Sequence, residues 1–225
     1  FAANLIYHSE TLDTRILRGG YDMIMPYTIT SFGSLGTDQS KKLTAILAYS
    51  YEHAGNNSAV TYQLEPGISY RPINNLKIGV TASYINNNNE LQYVAEQNYL
   101  NEKRYILGTI DQKTLGLTFR ADLNLTPEFS IQYYGSPFVS RGKYSEFKHV
   151  TNPQADLYGD RFALYNNPIY SDGKYLLDEN NDNIVDYSID NPDFNFHQFR
   201  SNLVAKWEYR LGSFIYFVWS SERTE

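Results

Sequence analysis

The sequence predicts an all-β protein: an antiparallel transmembrane β-barrel of the outer-membrane type, incomplete in this chain, with residues 1–225 as one barrel domain. Three observations lead there. Side chains of a strand point alternately to its two faces, and residues 114–125, TLGLTFRADLNL, alternate without a break. Leu115, Leu117, Phe119, Ala121, Leu123 and Leu125 share one face, while Thr114, Gly116, Thr118, Arg120, Asp122 and Asn124 share the other. Segments of about ten such residues recur along the chain, the length that a membrane-spanning strand needs. The connections are also unequal. Those at 72–76, 126–128 and 211–213 are short, and those at 98–103 and 140–198 are longer and more polar. Short turns at one end and long loops at the other are the barrel pattern.

Each element follows from local pattern. Residues 15–35 read as strand, with Gly19-Gly20 marking a bend and Pro26 confined to an edge or bulge. Residues 42–53 place Leu43, Ala45, Leu47, Tyr49 and Tyr51 on one face. A polar turn at Asn56-Asn57 leads to a strand over 61–72, and Asn74-Asn75 turns the chain again. Residues 76–97 read as one long strand that leaves the membrane partway. The tract Asn86 to Asn89 does not end it, because Leu91, Tyr93 and Ala95 resume the alternation. Residues 104–125 mirror that strand. Thr126-Pro127-Glu128 is a tight turn, with proline preset for a turn position. A strand follows over 129–139, and 199–210 and 214–223 form a hairpin around Leu211-Gly212-Ser213. The region 140–198 projects outward, with further strand pairing near 143–150 and 160–170. The expected total is about ten strands.

Composition narrows the class. The chain has 21 Tyr, 12 Phe and 2 Trp, and a tyrosine presents an apolar ring with a wet hydroxyl, which suits a membrane interface. Trp207 and Trp219 are the expected interface markers. The mean hydropathy is negative, and the sequence has no apolar run long enough for a transmembrane helix. A barrel tolerates this, because its inner row and its loops are polar. The net charge is −6 with no Lys/Arg cluster, so nucleic acid is not an expected partner. With no cysteine there is no disulfide framework and no thiolate metal site. The chain opens at Phe1 inside strand-like sequence, which reads as a fragment. A soluble β-sandwich or lipocalin-like barrel would turn the same apolar row inward, and periodicity does not separate the two. Strand length favours the membrane, as does the mixed charge of Arg120, Asp122, Lys206, Glu208 and Arg210 opposite the apolar rows.

Chemistry is sparse. DENNDNIVD, Asp178 to Asp186, spaces oxygen ligands as a calcium loop does: Asp178, Asn180, Asp182, the Ile184 carbonyl and Asp186. The match departs at Asn183, where such loops carry glycine, and at Ile189, where they carry glutamate; Asp190 stands one further on. Such a site would stiffen an outer loop, so calcium is the one candidate cofactor, and the alternative reading is an acidic, solvated loop. Tyr144, Phe147, Tyr158 and Tyr165 are candidates for stacking on sugars from an outer loop. His8, His53, His149 and His197 are scattered without HExxH or i, i+4 spacing, and no nucleophile elbow or phosphate-binding glycine loop occurs. No catalytic constellation is predicted and no enzyme is expected.

Several stretches carry a resemblance. RILRGGYDMIMP (15–26), residues 111–148 and residues 178–223 resemble the C-terminal barrel of a family of outer-membrane proteins from the Bacteroidota, a domain of unknown function. NPDFNFHQFRSNLVAKWEYRLGS is the most specific part. Full-length members pair that barrel with an N-terminal module similar to family-nine carbohydrate-binding domains. That module is absent here, as is a terminal aromatic strand after Glu225. The resemblance implies a bacterial outer-membrane location and a barrel that anchors or assists a surface carbohydrate-binding or uptake system. The expected partners are the lipid bilayer, other outer-membrane proteins and glycan. Two alternatives stand beside it: a structural subunit of a larger outer-membrane complex without small-molecule ligand, and a diffusion pore.

Overall fold

The computed structural model describes residues 1–224, which carry fifteen strands. Nine of them pair in the order β1 (Ala2–His8), β4 (Thr28–Gly36), β5 (Leu43–Ala54), β6 (Ala59–Ile73), β7 (Leu76–Tyr99), β8 (Glu102–Asn124), β9 (Phe129–Val150), β14 (Phe194–Arg210) and β15 (Ser213–Thr224). Every neighbouring pair is antiparallel. The shorter pieces are β2 (Thr11–Asp13) with β3 (Met23–Met25), β10 (Phe162–Leu164) on the far part of β9, and a small sheet of β11 (Ile169–Ser171), β12 (Lys174–Leu177) and β13 (Tyr187–Asp190). Among the described residues the large sheet is open. Strands β1 and β15 each pair on one side only, so these residues do not close a barrel.

The strand ends divide the sheet into two halves. At one end the chain turns between β4 and β5, β6 and β7, β8 and β9, and β14 and β15. The other end holds the segment between β1 and β4, the turns of β5–β6 and β7–β8, and the long excursion from β9 to β14. Strands β7, β8 and β9 run 24, 23 and 22 residues and extend beyond their neighbours there, forming a tip. The Asn86–Asn89 tract lies inside β7, paired with both β6 and β8, so the long strand expected over 76–97 is real and runs to Tyr99.

Several expectations are corrected at this end. The connection at 98–103 is no long loop: β7 and β8 meet in a two-residue turn at Leu100-Asn101, with φ of 50° and 63°. Positive φ at both central residues matches the right-handed twist of a hairpin. Strand β9 continues to Val150, and β14 begins at Phe194, so the outer loop is shorter than 140–198. The pairing anticipated near 143–150 and 160–170 is met by β10, whose Phe162 faces Val150 and whose Leu164 faces Lys148. Residues 15–22 form turns instead of strand, and Gly19-Gly20 is no strand bend. Gly19 adopts φ of 103°, and a Cβ on Gly20 would lie 2.6 Å from the Tyr105 ring, so glycine there permits close contact with β8.

The tip is where the core sits. Strand β8 is buried continuously from Tyr105 to Ile110, a run covered on both faces. One face is covered by Leu17 and Met23, which pack with Leu91, Tyr105 and Leu107. The other face carries Ile106 and Phe147 against Tyr165, Leu177 and Ile189 of the excursion. Adjacent residues on a strand point to opposite faces, so Ile106 and Leu107 serve separate clusters. Three register shifts lie here: Asn89/Gln92 and Tyr93/Ala95 in β7, and the extra residue of β9 opposite Leu107/Thr109. Glu146, with φ of 48°, lies in the last. Bulges re-aim side chains where a sheet changes its environment.

Leucine in the left-handed region is unfavourable by about 1–2 kcal/mol relative to a residue suited to it. Replacing Leu100-Asn101 by Asn-Gly is therefore expected to stabilise the tip by about 1 kcal/mol. Slower amide exchange at Tyr99 and Glu102 would register this; unchanged or faster exchange would contradict the turn geometry.

Candidate functional site

Away from the tip the sheet has two contrasting faces. Register aligns Leu43, Tyr70, Ile78, Ala121, Tyr133, Leu203 and Trp219 in one row from β5 to β15. Further along the same face comes the row Tyr84, Leu115, Val139. The next row out is polar across Asn86, Lys113, Arg141 and Asn195 and continues through Tyr62 and Tyr51 on β6 and β5. On β7, β8 and β9 the change from apolar to polar is completed within two residues. Leu115, Leu117 and Phe119 are 47%, 41% and 38% exposed, so nothing in the described residues covers this band. Tyr49, Tyr51 and Tyr62 are exposed near its upper boundary, and Trp207 and Tyr209, in edge contact, lie near the turn end. Trp207 is half exposed opposite Phe129 and Ile215, whereas Trp219 sits four residues further along β15 than Ile215, opposite Leu203.

The other face is largely a hydrogen-bonded polar lattice. Glu65 accepts from Gln63 and Ser83, Thr30 donates to Glu52, and Thr61 donates to Asn87. Thr114 and Ser140 are buried and share a hydrogen bond of 2.8 Å. A cavity of about 500 Å³ opens on this face, bounded by Lys77, Arg120 and Asp122 with Thr44, Thr81 and Thr118. Lys41, Lys42 and Arg71 gather with Lys77 at the turn end, so the face grades from cationic there to acidic at Glu52 and Glu65.

At the tip, buried ions tie the irregular excursion to the long strands. Arg104 of β8 donates Nε to Glu179 Oε1 at 2.8 Å and Nη1 to Glu102. Glu179 also accepts from the Tyr187 hydroxyl at 2.5 Å, and Tyr187 meets the Tyr165 hydroxyl at 2.6 Å. Burial first, and then the bond to Glu179, pushes the Tyr187 phenol well above its ordinary value, so the hydroxyl stays a donor. The His149 ring packs on Tyr165, its Nε2 3.8 Å from Glu179 Oε1, too far for a hydrogen bond. Burial pushes the imidazole below its ordinary value; Glu179 opposes this and Arg104 adds to it. On the opposite side Arg161 is 1% exposed and donates to the carbonyls of Ala155, Ile24 and Asp156. It fastens the loop after β9 to β3. Lys148 is also buried, over the Phe162 ring, and burial pushes its ammonium below the usual lysine range.

The residues singled out from sequence are placed as follows. Phe147 and Tyr165 are buried in one tip cluster, with Tyr144 packed against it, and Tyr158 packs against the other while donating to Glu90. Their rings thus divide between two separate cores, Phe147 and Tyr165 buried and Tyr144 and Tyr158 half-buried. The side chains of the 178–186 loop accept main-chain amides of the same loop. Asp178 accepts from the amides of Asn181 and Asn183, Asn180 from Asp182, Asp182 from Ile184, and Asp186 from Glu179. Asn183 takes φ of 67°, which asparagine tolerates, and this accounts for its place where a calcium loop has glycine. Among the described residues no three of His, Asp and Glu converge as metal ligands. Ser58 donates to the Gly55 carbonyl. Arg104, His149, Arg161 and Glu179 escape a motif search because the contacts that pin the excursion, Arg104 to Glu179 and Arg161 to Ile24, join distant segments. The one local hint is the cation Arg104 bordering the apolar run that starts at Tyr105.

Fold and site define the class: an all-β protein dominated by one long-stranded antiparallel sheet, bare on its apolar face and capped by a compact tip. No helix is long and apolar enough to cross a membrane, which says nothing about strands. The chain belongs to a family described as a domain of unknown function (DUF5916), whose model matches residues 4–225. No curated protein and no solved structure matches it.

Two outcomes follow from the tip. Glu179→Gln leaves Arg104 with a weakened, half-buried partner while Glu102 still pairs with it, and is expected to cost the tip about 1–2 kcal/mol. Proteolysis should then cut within 165–190 while the long sheet stays intact; equal resistance would mean that the ion pair contributes little. His149 has its folded value below the ordinary 6.5, so the unfolded chain takes up its proton first. Its contribution is therefore intact above about 6.5 and is lost as pH falls below that. Tip resistance to proteolysis should drop as pH falls from about 6.5 to about 5, and His149→Phe should remove that part of the drop.

Proposed function

We propose that this domain is part of the wall of a bacterial outer-membrane β-barrel, and that it anchors a rigid tip outside the bilayer. The observation that carries the reading is the exposed apolar band, held in register across strands β5 to β15 and ending at the Lys113–Arg141 row. From Leu115 to Leu125 the band runs ten residue steps, along β8 and one residue past its end. At about 3.3 Å per residue and a tilt near 40°, that spans about 25 Å, the height of a barrel's apolar girdle. A soluble sheet does not leave so large a contiguous apolar surface bare. The polar lattice on the reverse face suits a wet lumen, and the tyrosines and Trp207 suit interfacial depths. Turn length sets the orientation, with the short turns periplasmic and the tip outside.

In this reading the protein's partner is lipid and its role is anchoring, without catalysis. A carbohydrate role would rest on whatever the anchor carries, since the four aromatics at the tip are engaged in packing. One observation favours the alternative of a subunit in a larger outer-membrane complex. Ile169, Tyr170, Ile184 and Val185 are exposed together around the excursion and offer apolar contact to another protein.

The two faces give the test. In protein reconstituted into phospholipid vesicles, Phe119→Arg puts a charge on the apolar band and is expected to cost about 2–4 kcal/mol of folding stability. Thr118→Arg, one residue away on the polar face, is expected to cost far less. Equal tolerance of the two, together with solubility without detergent, would overturn the membrane reading.

A further inference from the structure

The turn end of the polar face carries more positive charge than its own carboxylates balance. Lys41, Lys42, Arg71, Lys77 and Arg120 line two adjoining hollows there, of about 500 and 60 Å³, which share Thr44, Ser69 and Lys77. The half-buried Asp122 is the one carboxylate among the lining residues. Among the described residues none of the five cations comes within 4 Å of a carboxylate oxygen, although Lys77 stands opposite Asp122 in the register of β7 and β8. Three of the cations are neighbours across adjacent strands. The Arg71 amide donates to the Lys42 carbonyl at 2.7 Å, which sets those two residues opposite each other. Lys77 in turn faces the bulge of Arg71 and Pro72. Like charges directly opposite destabilise a sheet. The fold loses stability by this row, so its use lies in what it attracts.

The larger hollow has room at its floor. Gly79 lies there between Ser69 and Arg120, and a Cβ on it would have the Ile68 carbonyl oxygen, 3.8 Å away, as its one neighbour within 4 Å. The Arg120 guanidinium lies over the Tyr134 ring, 5.3 Å from its centroid, which holds the planar fork at the cavity wall. A guanidinium takes a phosphate or carboxylate in two parallel hydrogen bonds, and an ammonium adds charge without fixing geometry. We propose that this cleft binds a small oligoanion carrying two or more phosphate or carboxylate groups. Arg120 and Lys77 hold one group over Gly79, and Arg71 with Lys41 and Lys42 holds the next toward the turns. Asp122 repels such a ligand and keeps its binding reversible. The site needs only the polar face of the sheet, and it would work in a lumen or in open water.

The test uses the whole protein in phosphatidylcholine vesicles, or in plain buffer if it needs no lipid, titrated calorimetrically with pyrophosphate and with citrate. At least one should bind, and more weakly as salt rises from about 50 to about 500 mM. Arg120→Gln should weaken binding about tenfold, and Asp122→Asn should strengthen it several-fold. Gly79→Val keeps every charge and suits a strand, yet it should abolish binding by filling the floor. Lys77→Gln should weaken binding while raising the melting temperature of the empty protein, because it removes an opposed like charge. Lys113→Gln, on the opposite face, should leave binding unchanged. Two sources share this chemistry, a free oligoanion and the headgroup of an anionic lipid. Replacing part of the phosphatidylcholine by cardiolipin, which carries two phosphates, separates them. Loss of pyrophosphate binding assigns the cleft to headgroups, and unchanged binding assigns it to a free anion. No heat with either probe, or full binding by both Arg120→Gln and Gly79→Val, would overturn the site. A lower melting temperature for Lys77→Gln would overturn it as well, by making the cation row a support of the fold.

Discussion

Backbone pairing along β7, β8 and β9 is the interaction on which the rest of this molecule depends. The three strands keep one continuous ladder from the turn end to the tip, and every other element is fastened to it. What changes along the ladder is its surroundings. In the tip the ladder is buried on both faces by the protein's own side chains. In the band it is covered on neither face, and the strands hold their register through hydrogen bonds and cross-strand contacts alone. The register shifts in β7 and β9 lie at the join, where a one-residue step lets a strand alternating apolar with polar become one that is apolar on both sides.

The buried ions of the tip answer a different problem. The excursion between β9 and β14 has little ladder of its own, so its carbonyls and carboxylates need donors brought from elsewhere. Arg161 supplies three N–H groups to main-chain carbonyls, and Arg104 engages Glu179 with geometry that holds both oxygens. Glu179 lies in the acidic loop whose spacing suggests calcium, yet it is not one of the five expected ligands. The loop curls by accepting its own amides, which leaves Glu179 pointing inward to Arg104.

Much of the sheet is legible in the sequence because one physical signal, period-two alternation, persists over the band. It carries β7 through four asparagines that look like a loop, since Leu91, Tyr93 and Ala95 keep the phase. The tip is less legible for the opposite reason. Where both faces are buried alternation disappears, as in YILGTI over 105–110, and bulges break the phase. The Leu100-Asn101 turn lacks the glycine that usually announces a two-residue hairpin, so it reads as a longer loop. Tyr144, Phe147, Tyr158 and Tyr165 illustrate a second limit. An aromatic in a polar stretch looks available for a ligand, but the sequence does not say which distant segment folds over it.

The hairpin of β7 and β8 also has a mechanical meaning. Its two strands run unbroken from the wall into the tip, joined by pairing from Leu76–Leu123 to Tyr99–Glu102. A pull on the tip along the strand direction is therefore shared at once by the bonds that hold this hairpin to β6 and β9, instead of opening them one after another. That geometry resists by shear where a peeled sheet would unzip. Anything gripped by the tip would load the whole wall behind it, and the small sheet pinned by Glu179 would be the first part to yield.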